Sequence, residues 1–410
     1  MNILFVHQNF PGQYRHLAAA LAQSPGGRVA ALGDVKFVKN QPKLPGVSLH
    51  AYPTPRGAAV GTHHYVRPLE SAVRRGQAVV RACLALKKQG FVPDIVCAHP
   101  GWGEALFLRD VFPDARIILY CEFYYRARGA DVGFDPEFPV TEDDVLRVRV
   151  KNAHFLLSLE GCDEGVSPTE WQHQAFPGEF RDRIRVIHEG VDTDLVRPDP
   201  QASLALPGSN ITLSAADEVV TYVARNLEPY RGFHTFMRAV PEIQRRRPKT
   251  QILVVGNDGV SYGTPLPKGE TFKKRLLEEV GAKIDMNRLH FLGPVPYATL
   301  LKIYQISSAH VYLTYPFVLS WSMLEAMAAG CALVASDTAP VREVITDGAN
   351  GYLVDFFSPQ ALAERLDDVL SRPPELAAVR ERARRDVVER YDLKRVCLPR
   401  QLEMLGLPAG

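Results

Sequence analysis

Two stretches of this 410-residue chain bring together residue types that could do chemistry. The run at 315–337, YPFVLSWSMLEAMAAGCALVASD, reads as a loop, a helix beginning near Ser322, a glycine stop at Gly330 and a buried strand at 332–335. A helix start offers free backbone N–H groups and the positive end of the macrodipole, which suits an anion such as a diphosphate. Glu325 stands three residues past Ser322, the spacing of a capping box, so its carboxylate also has a purely structural reading. The run at 223–232, VARNLEPYRG, follows a strand pattern and adds two guanidinium groups, Arg225 and Arg231, at the same sheet edge. Arginine forks match phosphate oxygens, and hydrogen bonds to charged groups contribute about 1.5–3 kcal/mol each. A helix end adds only ~0.3–2 kcal/mol, so the arginines would carry most of a diphosphate's affinity.

Such groups need a scaffold that holds them at one edge. Short β-branched runs at 3–6, 29–32, 95–98, 116–121, 155–157 and 186–188 alternate with helical stretches such as 13–23 and 69–89. The second half repeats the rhythm, with strands expected at 219–223, 252–255, 289–292, 311–313, 332–335 and 351–354. Alternating strands and helices predict parallel sheets covered on both faces, an α/β protein. Arg197-Pro198-Asp199-Pro200 and Pro207-Gly208-Ser209 are turn-rich and break both periods, which places a linker there. The expected domains are 1–200 and 201–385, with a terminal helical segment at 386–410. Two such halves would leave a cleft between them, with ligands at the carboxyl ends of strands.

Composition excludes other classes. With 48 Lys and Arg against 46 Asp and Glu, neither half is a polycation, and nucleic-acid binding through a basic field is not expected. The six cysteines are scattered without metal-ligand spacing and read as reduced, buried thiols. The longest apolar stretch, at 326–335, is far shorter than a membrane span, and 3–6 is too short for a signal-peptide core, so a cytoplasmic protein is expected. There is no GxGxxG after a strand, no GxxxxGK[ST] and no HExxH. Asp192-Thr193-Asp194 has the DxD form of some metal sites, but its place at the exit toward the linker suits a turn with solvated acids better.

Taken together, the segments ILFVHQNFPGQ, DIVCAHPG, VIHEGVDTD, VARNLEPYRG, VVGNDG, LHFLGPV, SMLEAMAAGCALVASD and DGANGYLV resemble, in order and spacing over nearly the whole chain, the family 4 glycosyltransferases. HQNFPGQ, RNLEPYRGF and YPFVLSWS resemble a branch associated with bacterial exopolysaccharide assembly. The resemblance implies the GT-B architecture of two facing Rossmann-like domains. It also implies a nucleotide-diphosphate sugar donor, UDP- or GDP-linked, on the C-terminal half, and transfer with retention to a glycan, lipid-linked glycan or small-molecule hydroxyl, without a cofactor or metal. Carried over by position, Glu325 would bind the donor ribose, and Arg225 and Arg231 the diphosphate. Backbone groups of Leu319 and Ser320 would meet the sugar, those of Trp321 and Ser322 the distal phosphate, and those of Pro294 and Val295 the base. Gly12 would let the first loop approach the diphosphate, while His99 and Glu122 would contact sugar or acceptor. The terminal segment would return to the first domain.

The chain departs from the family pattern in three places. Phe317 stands where the family has a second glutamate, eight residues before Glu325, with Val318 and Ser320 in place of glycines. The usual arginine–lysine pair becomes Arg225 and Arg231, one residue further apart, and Glu122 takes the place of a frequent histidine. Two other readings accompany the enzyme: a catalytically silent sugar-nucleotide-binding protein, and a GT-B epimerase acting on the sugar nucleotide. Arg74, Arg81 and Lys88 recur along the 69–89 helix and would suit peripheral contact with an anionic membrane face, although a solvated helix is the commoner outcome.

Overall fold

The computed structural model describes residues 1–24 and 26–408; Pro25 and the last two residues of the expected terminal segment lie outside the described residues. The chain divides into two units, residues 1–190 with 394–410, and residues 191–393.

In the first unit the strands are β1 (Asn2–Val6), β2 (Arg28–Asp34), β3 (Val47–Tyr52), β4 (Ile95–Ala98), β5 (Arg116–Tyr120), β6 (Glu164–Ser167) and β7 (Ile184–Val186). They form one sheet in the order β3-β2-β1-β4-β5-β6-β7, parallel throughout. Alternation along each strand feeds two cores. Leu4, Val6, Ala30, Leu32, Val96 and Leu119 face one side, where helix Arg67–Lys88 packs through Val79, Cys83 and Leu86. Ile3, Phe5, Val29, Ala31, Cys97 and Ile118 face the other, against Leu17 and Leu21 of helix Arg15–Gln23. Burial on both faces is the reason these strands read as continuous apolar runs.

In the second unit β8 (Ser203–Ala205) and β9 (Thr212–Ser214) pair as a small antiparallel ribbon. The main strands are β10 (Val219–Asn226), β11 (Gln251–Asn257), β12 (Leu289–Gly293), β13 (Ala309–Tyr312), β14 (Leu333–Ser336) and β15 (Tyr352–Val354). Their order is β12-β11-β10-β13-β14-β15, again parallel. Each sheet is wound outward in both directions from its first strand. The order reverses at β1/β4 in one unit and at β10/β13 in the other, and these are the switch points where connections leave a crevice at the carboxyl edge.

Some expectations require correction. The run at 155–157 is not a strand but the middle of helix Ala153–Glu160, and the strand of that region is β6. A short apolar run does not by itself tell helix from strand. Strands β3, β8 and β9 were not anticipated, because their exposed alternate positions dilute the apolar pattern. The terminal stretch breaks at Asp392, between helices Pro373–Tyr391 and Leu398–Met404. The second of these packs in the first unit, where Met404 joins the core of Leu17 and Leu21 and its carbonyl accepts from Arg116 at 2.8 Å. Asp192 closes a turn by accepting the Asp194 N–H at 3.2 Å, and the Thr193 hydroxyl donates to Asp392. Among the described residues, no helix is long and apolar enough to cross a membrane.

All six cysteines are buried free thiols, and burial pushes Cys83, Cys97 and Cys331 up to about 12. The thiolate is the reactive form, so an aromatic disulfide reagent should label essentially none of them in minutes on the folded protein and all six in denaturant. Fast labelling of the native chain would contradict this packing.

Candidate functional site

Arg225 and Arg231 sit at the carboxyl end of β10, beside the switch point of the second sheet. Arg225, near the end of the strand, is exposed. Arg231 is the last residue of the 3₁₀ turn Pro229–Arg231 and turns its guanidinium across to the end of β13. There Nη1 donates to the Thr314 hydroxyl at 2.8 Å, to the Val318 carbonyl at 3.2 Å and to the Tyr312 hydroxyl at 3.4 Å. Burial opposes its charge, but Tyr312, Tyr262 and Glu228 outweigh it and hold the guanidinium above its ordinary value. The turn is anchored from below, where the Tyr222 hydroxyl donates to the Arg231 carbonyl at 2.6 Å. Beyond it, the Tyr315 N–H donates to the Tyr230 carbonyl at 3.0 Å. Gly232 then takes φ +64°, and a Cβ there would lie 2.3 Å from the Leu313 Cβ. Only glycine meets both demands.

The loop after β13 leads into helix Trp321–Ala328. Its N-cap is Ser320, whose hydroxyl accepts the Ser322 N–H at 3.4 Å. The helix therefore starts one residue earlier than the sequence suggested, and the Ser322–Glu325 capping box is not what occupies Glu325. Its Oε1 instead accepts from the Tyr297 hydroxyl at 2.8 Å. Tyr297 opens helix Tyr297–Gln305 directly after Pro294, Val295 and Pro296, so the segment expected at the base and the carboxylate expected at the ribose are joined by a hydrogen bond. Pro294 is exposed and Val295 half-buried. The Ser320 N–H donates to the Tyr312 hydroxyl at 2.9 Å; Leu319 is buried, while Trp321 is exposed at the helix start. Phe317 is buried within ring-contact distance of Tyr262 and Tyr230, at 5.2 and 6.0 Å between centroids.

In the first unit the switch point carries imidazoles. His99, just past β4, accepts the Gly101 N–H on Nδ1 at 3.0 Å, so Nε2 bears the proton and faces Glu122 Oε2 at 3.0 Å. Trp102 stacks on the His99 ring at 4.7 Å, and His7, just past β1, meets it edge-on at 5.2 Å. His7 accepts the Asn9 N–H and His188 accepts the Gly190 N–H in the same i to i+2 pattern, at 3.0 and 2.9 Å. Burial above all, then the nearby His99, pushes His7 well below its ordinary value, and burial lowers His188 to about 4. Gly12 has φ +46°, and a Cβ there would strike the His7 ring at 2.7 Å, so the first loop closes over an imidazole. On the 67–88 helix, Arg74 is tied to Glu70 at 2.6 Å, which leaves Arg81 and Lys88 as the exposed members of the basic seam.

Sequence reasoning brought Arg225, Arg231, Glu325 and the 319–322 segment to one sheet edge; it named His99 and Glu122 each as a sugar or acceptor contact, and the structure shows that the two face one another. It missed Thr314, Tyr312, Tyr297, Glu228, Tyr262 and His7. A signal for His7 was present in the wording HQN, HPG and HEG, a histidine one residue past β1 and β4 and two past β7, each with an N–H two residues on.

Two family models match the chain: "Glycosyl transferase family 4 group" over residues 26–196 and "Glycosyl transferases group 1" over residues 209–386. The chain belongs to the family 4 glycosyltransferases and has the GT-B fold of two Rossmann-like domains. It is similar to D-inositol 3-phosphate glycosyltransferase of Corynebacterium aurimucosum, 28% identical over 49% of this chain and 46% of that one. The chain thus spans about half the length of that curated relative. Spore coat protein SA of Bacillus subtilis is 23% identical over 76% of this chain and 77% of its own. Among solved structures, HepE of Anabaena in complex with UDP and glucose superposes with a TM-score of 0.69 at 18% identity, covering 99% of each chain. Sucrose-phosphate synthase of Thermosynechococcus elongatus gives 0.74 at 18% identity, covering 99% of this chain and 98% of its own.

The Gly232 geometry yields a test of how Arg231 is placed. Gly232→Ala should destabilise the chain by more than about 2 kcal/mol in urea unfolding, because strain at positive φ and a backbone-proximal clash act together. A change within about 0.5 kcal/mol would mean that the turn does not need this close approach.

Proposed function

We propose that this chain is a retaining glycosyltransferase that moves a sugar from a nucleoside-diphosphate donor, UDP- or GDP-linked, to a hydroxyl of a glycan, lipid-linked glycan or small-molecule acceptor, in polysaccharide or glycoconjugate assembly. The observation that carries the reading is the guanidinium of Arg231, held in place at the β10/β13 switch point by Thr314 and the Val318 carbonyl, with Arg225 on the same strand end and the start of helix Trp321–Ala328 following β13. That combination suits a diphosphate. Its support from kin is the HepE structure of the same fold, which holds UDP and glucose.

In this reading Glu325, steadied by Tyr297, accepts from the ribose hydroxyls, and the backbone at Pro294 and Val295 borders the base. The bond from the anomeric carbon to the diphosphate oxygen breaks as the acceptor oxygen bonds to that carbon on the same face. The acceptor proton passes to the departing diphosphate. Negative charge grows on the leaving group, where Arg225, Arg231 and the helix start stabilise it, so no metal and no protein nucleophile are required. His99 and Glu122, an imidazole N–H facing a carboxylate in the first unit, bind sugar or acceptor hydroxyls.

The tests are direct. UDP or GDP should raise the melting temperature of the chain, whereas NAD and ATP should not. Arg231→Ala should lower turnover about 100- to 1000-fold, since it removes a donor to developing charge, while the exposed Lys283→Ala leaves it unchanged. Activity should persist in excess chelator. No stabilisation by either nucleotide, or equal activity of the Arg231 and Lys283 variants, would sink the assignment; an inverted anomeric signal in the product would sink retention.

A further inference from the structure

The loop that follows β11 is held by a side chain from another loop. Glu228, only 1% exposed, is the N-cap of the turn that ends at Arg231. Its Oε1 accepts the Ser261 N–H at 2.9 Å, and its Oε2 accepts those of Tyr262 and Gly263 at 3.2 and 3.1 Å. Asn226 reinforces the join through Nδ2 to the Ser261 hydroxyl at 2.6 Å. Three backbone donors converging on one buried carboxylate fix a turn far more tightly than surface contacts would.

The pinned turn sets Tyr262. Its ring lies 5.4 Å from the Arg231 guanidinium carbon, in cation–π range, and packs against Phe317 and Tyr230 at 5.2 and 5.9 Å between centroids. The guanidinium is thus fixed from two sides, by Thr314 and Val318 on Nη1 and by Tyr262. A carboxylate three residues from a diphosphate-binding arginine would ordinarily weaken the field that attracts an anion. Here its oxygens accept from N–H groups of the neighbouring loop, while its charge also helps keep Arg231 charged.

We propose that Glu228 is a positioning residue for the diphosphate arginine, acting through Tyr262: it clamps the 261–263 turn, and the clamped tyrosine orients the Arg231 fork. This rests on the reading of Arg231 given above. The competing possibility is that Glu228 only staples a loop, in which case its loss lowers stability and leaves diphosphate affinity where it was.

The experiment is calorimetric titration of the full-length chain with UDP and with GDP, using whichever binds. Glu228→Ala and Tyr262→Ala should each weaken binding by about tenfold, the scale of one cation–π contact. The double variant should bind no more weakly than Tyr262→Ala alone, because the carboxylate acts through that ring. Arg231→Ala separates the two layers. If it binds like the parent, or if the parent binds neither nucleotide, the diphosphate site itself is wrong. If it loses binding while Glu228→Ala or Tyr262→Ala stays within about twofold of the parent, or binds more tightly, the positioning role is wrong and the site stands. Additive losses in the double variant overturn the route through Tyr262. Should Glu228→Ala fail to fold, Tyr262→Ala alone decides, since the proposal requires it to weaken binding.

Discussion

A guanidinium group that is to meet an anion must be taken partly out of water, kept charged and aimed, and in the proposed reading those demands fall on Arg231. Its Nη1 is satisfied by Thr314 and the Val318 carbonyl, both supplied by the segment that leaves β13. Those partners are in reach only because β10 and β13 are adjacent although far apart in sequence. Adjacency in turn follows from winding the sheet outward from β10, which opens a crevice between two connections that leave in opposite directions. Gly232 completes the arrangement by letting the turn lie against Leu313. The fold therefore supplies the site's position, and a few local contacts supply its precision.

What the sequence makes legible follows from the range of each interaction. Strand–helix alternation and both-face burial are local patterns, so the two parallel sheets could be read from runs such as ILFV and ILVV. Arg225 and Arg231 stand out as two guanidinium groups beside one strand end, whereas Glu325 has the spacing of a capping box and is singled out only by the resemblance to the family. The run FLL at 155–157 failed because three apolar residues fit either period, and helix Ala153–Glu160 was decided by what it packs against. The helix start was misplaced because Ser320 and Ser322 both fit the cap, and only geometry shows which hydroxyl takes the N–H. Tyr297 with Glu325, and Glu228 with the turn at 261–263, join segments about 30 residues apart, and no local pattern in a single sequence records such a partnership.

The two switch points solve different problems with the same geometry. At β10/β13 the protein places permanent cations. At β1/β4 it places His7 and His99, each with Nδ1 occupied by a backbone N–H two residues on. That bond fixes the tautomer, so the outward nitrogen is a donor, and for His7 burial keeps the ring neutral. Imidazole N–H donors suit hydroxyl groups, whereas a guanidinium suits phosphate. The near balance of 48 basic and 46 acidic residues fits the proposed division, in which the charge that would bind an anion is concentrated at one strand end and not spread over a surface.

The aromatic group beside Arg231 bears on how strongly that charge acts. Phe317 stands where the family resemblance implies a glutamate, and it is packed with Tyr230 and Tyr262. A carboxylate there would accept from hydroxyl groups, but it would also set a second negative charge next to a diphosphate and hold water around it. Aromatic rings forgo the acceptor and remove both effects. Less water means weaker screening, and the attraction between a guanidinium and an anion rises as the local dielectric constant falls. The same substitution leaves fewer acceptors for sugar hydroxyls, so recognition of the transferred sugar shifts toward backbone groups and ring faces. In the proposed reading, a site built this way would grip the diphosphate that nucleotide sugars share and rely less on the hydroxyl pattern that tells one sugar from another.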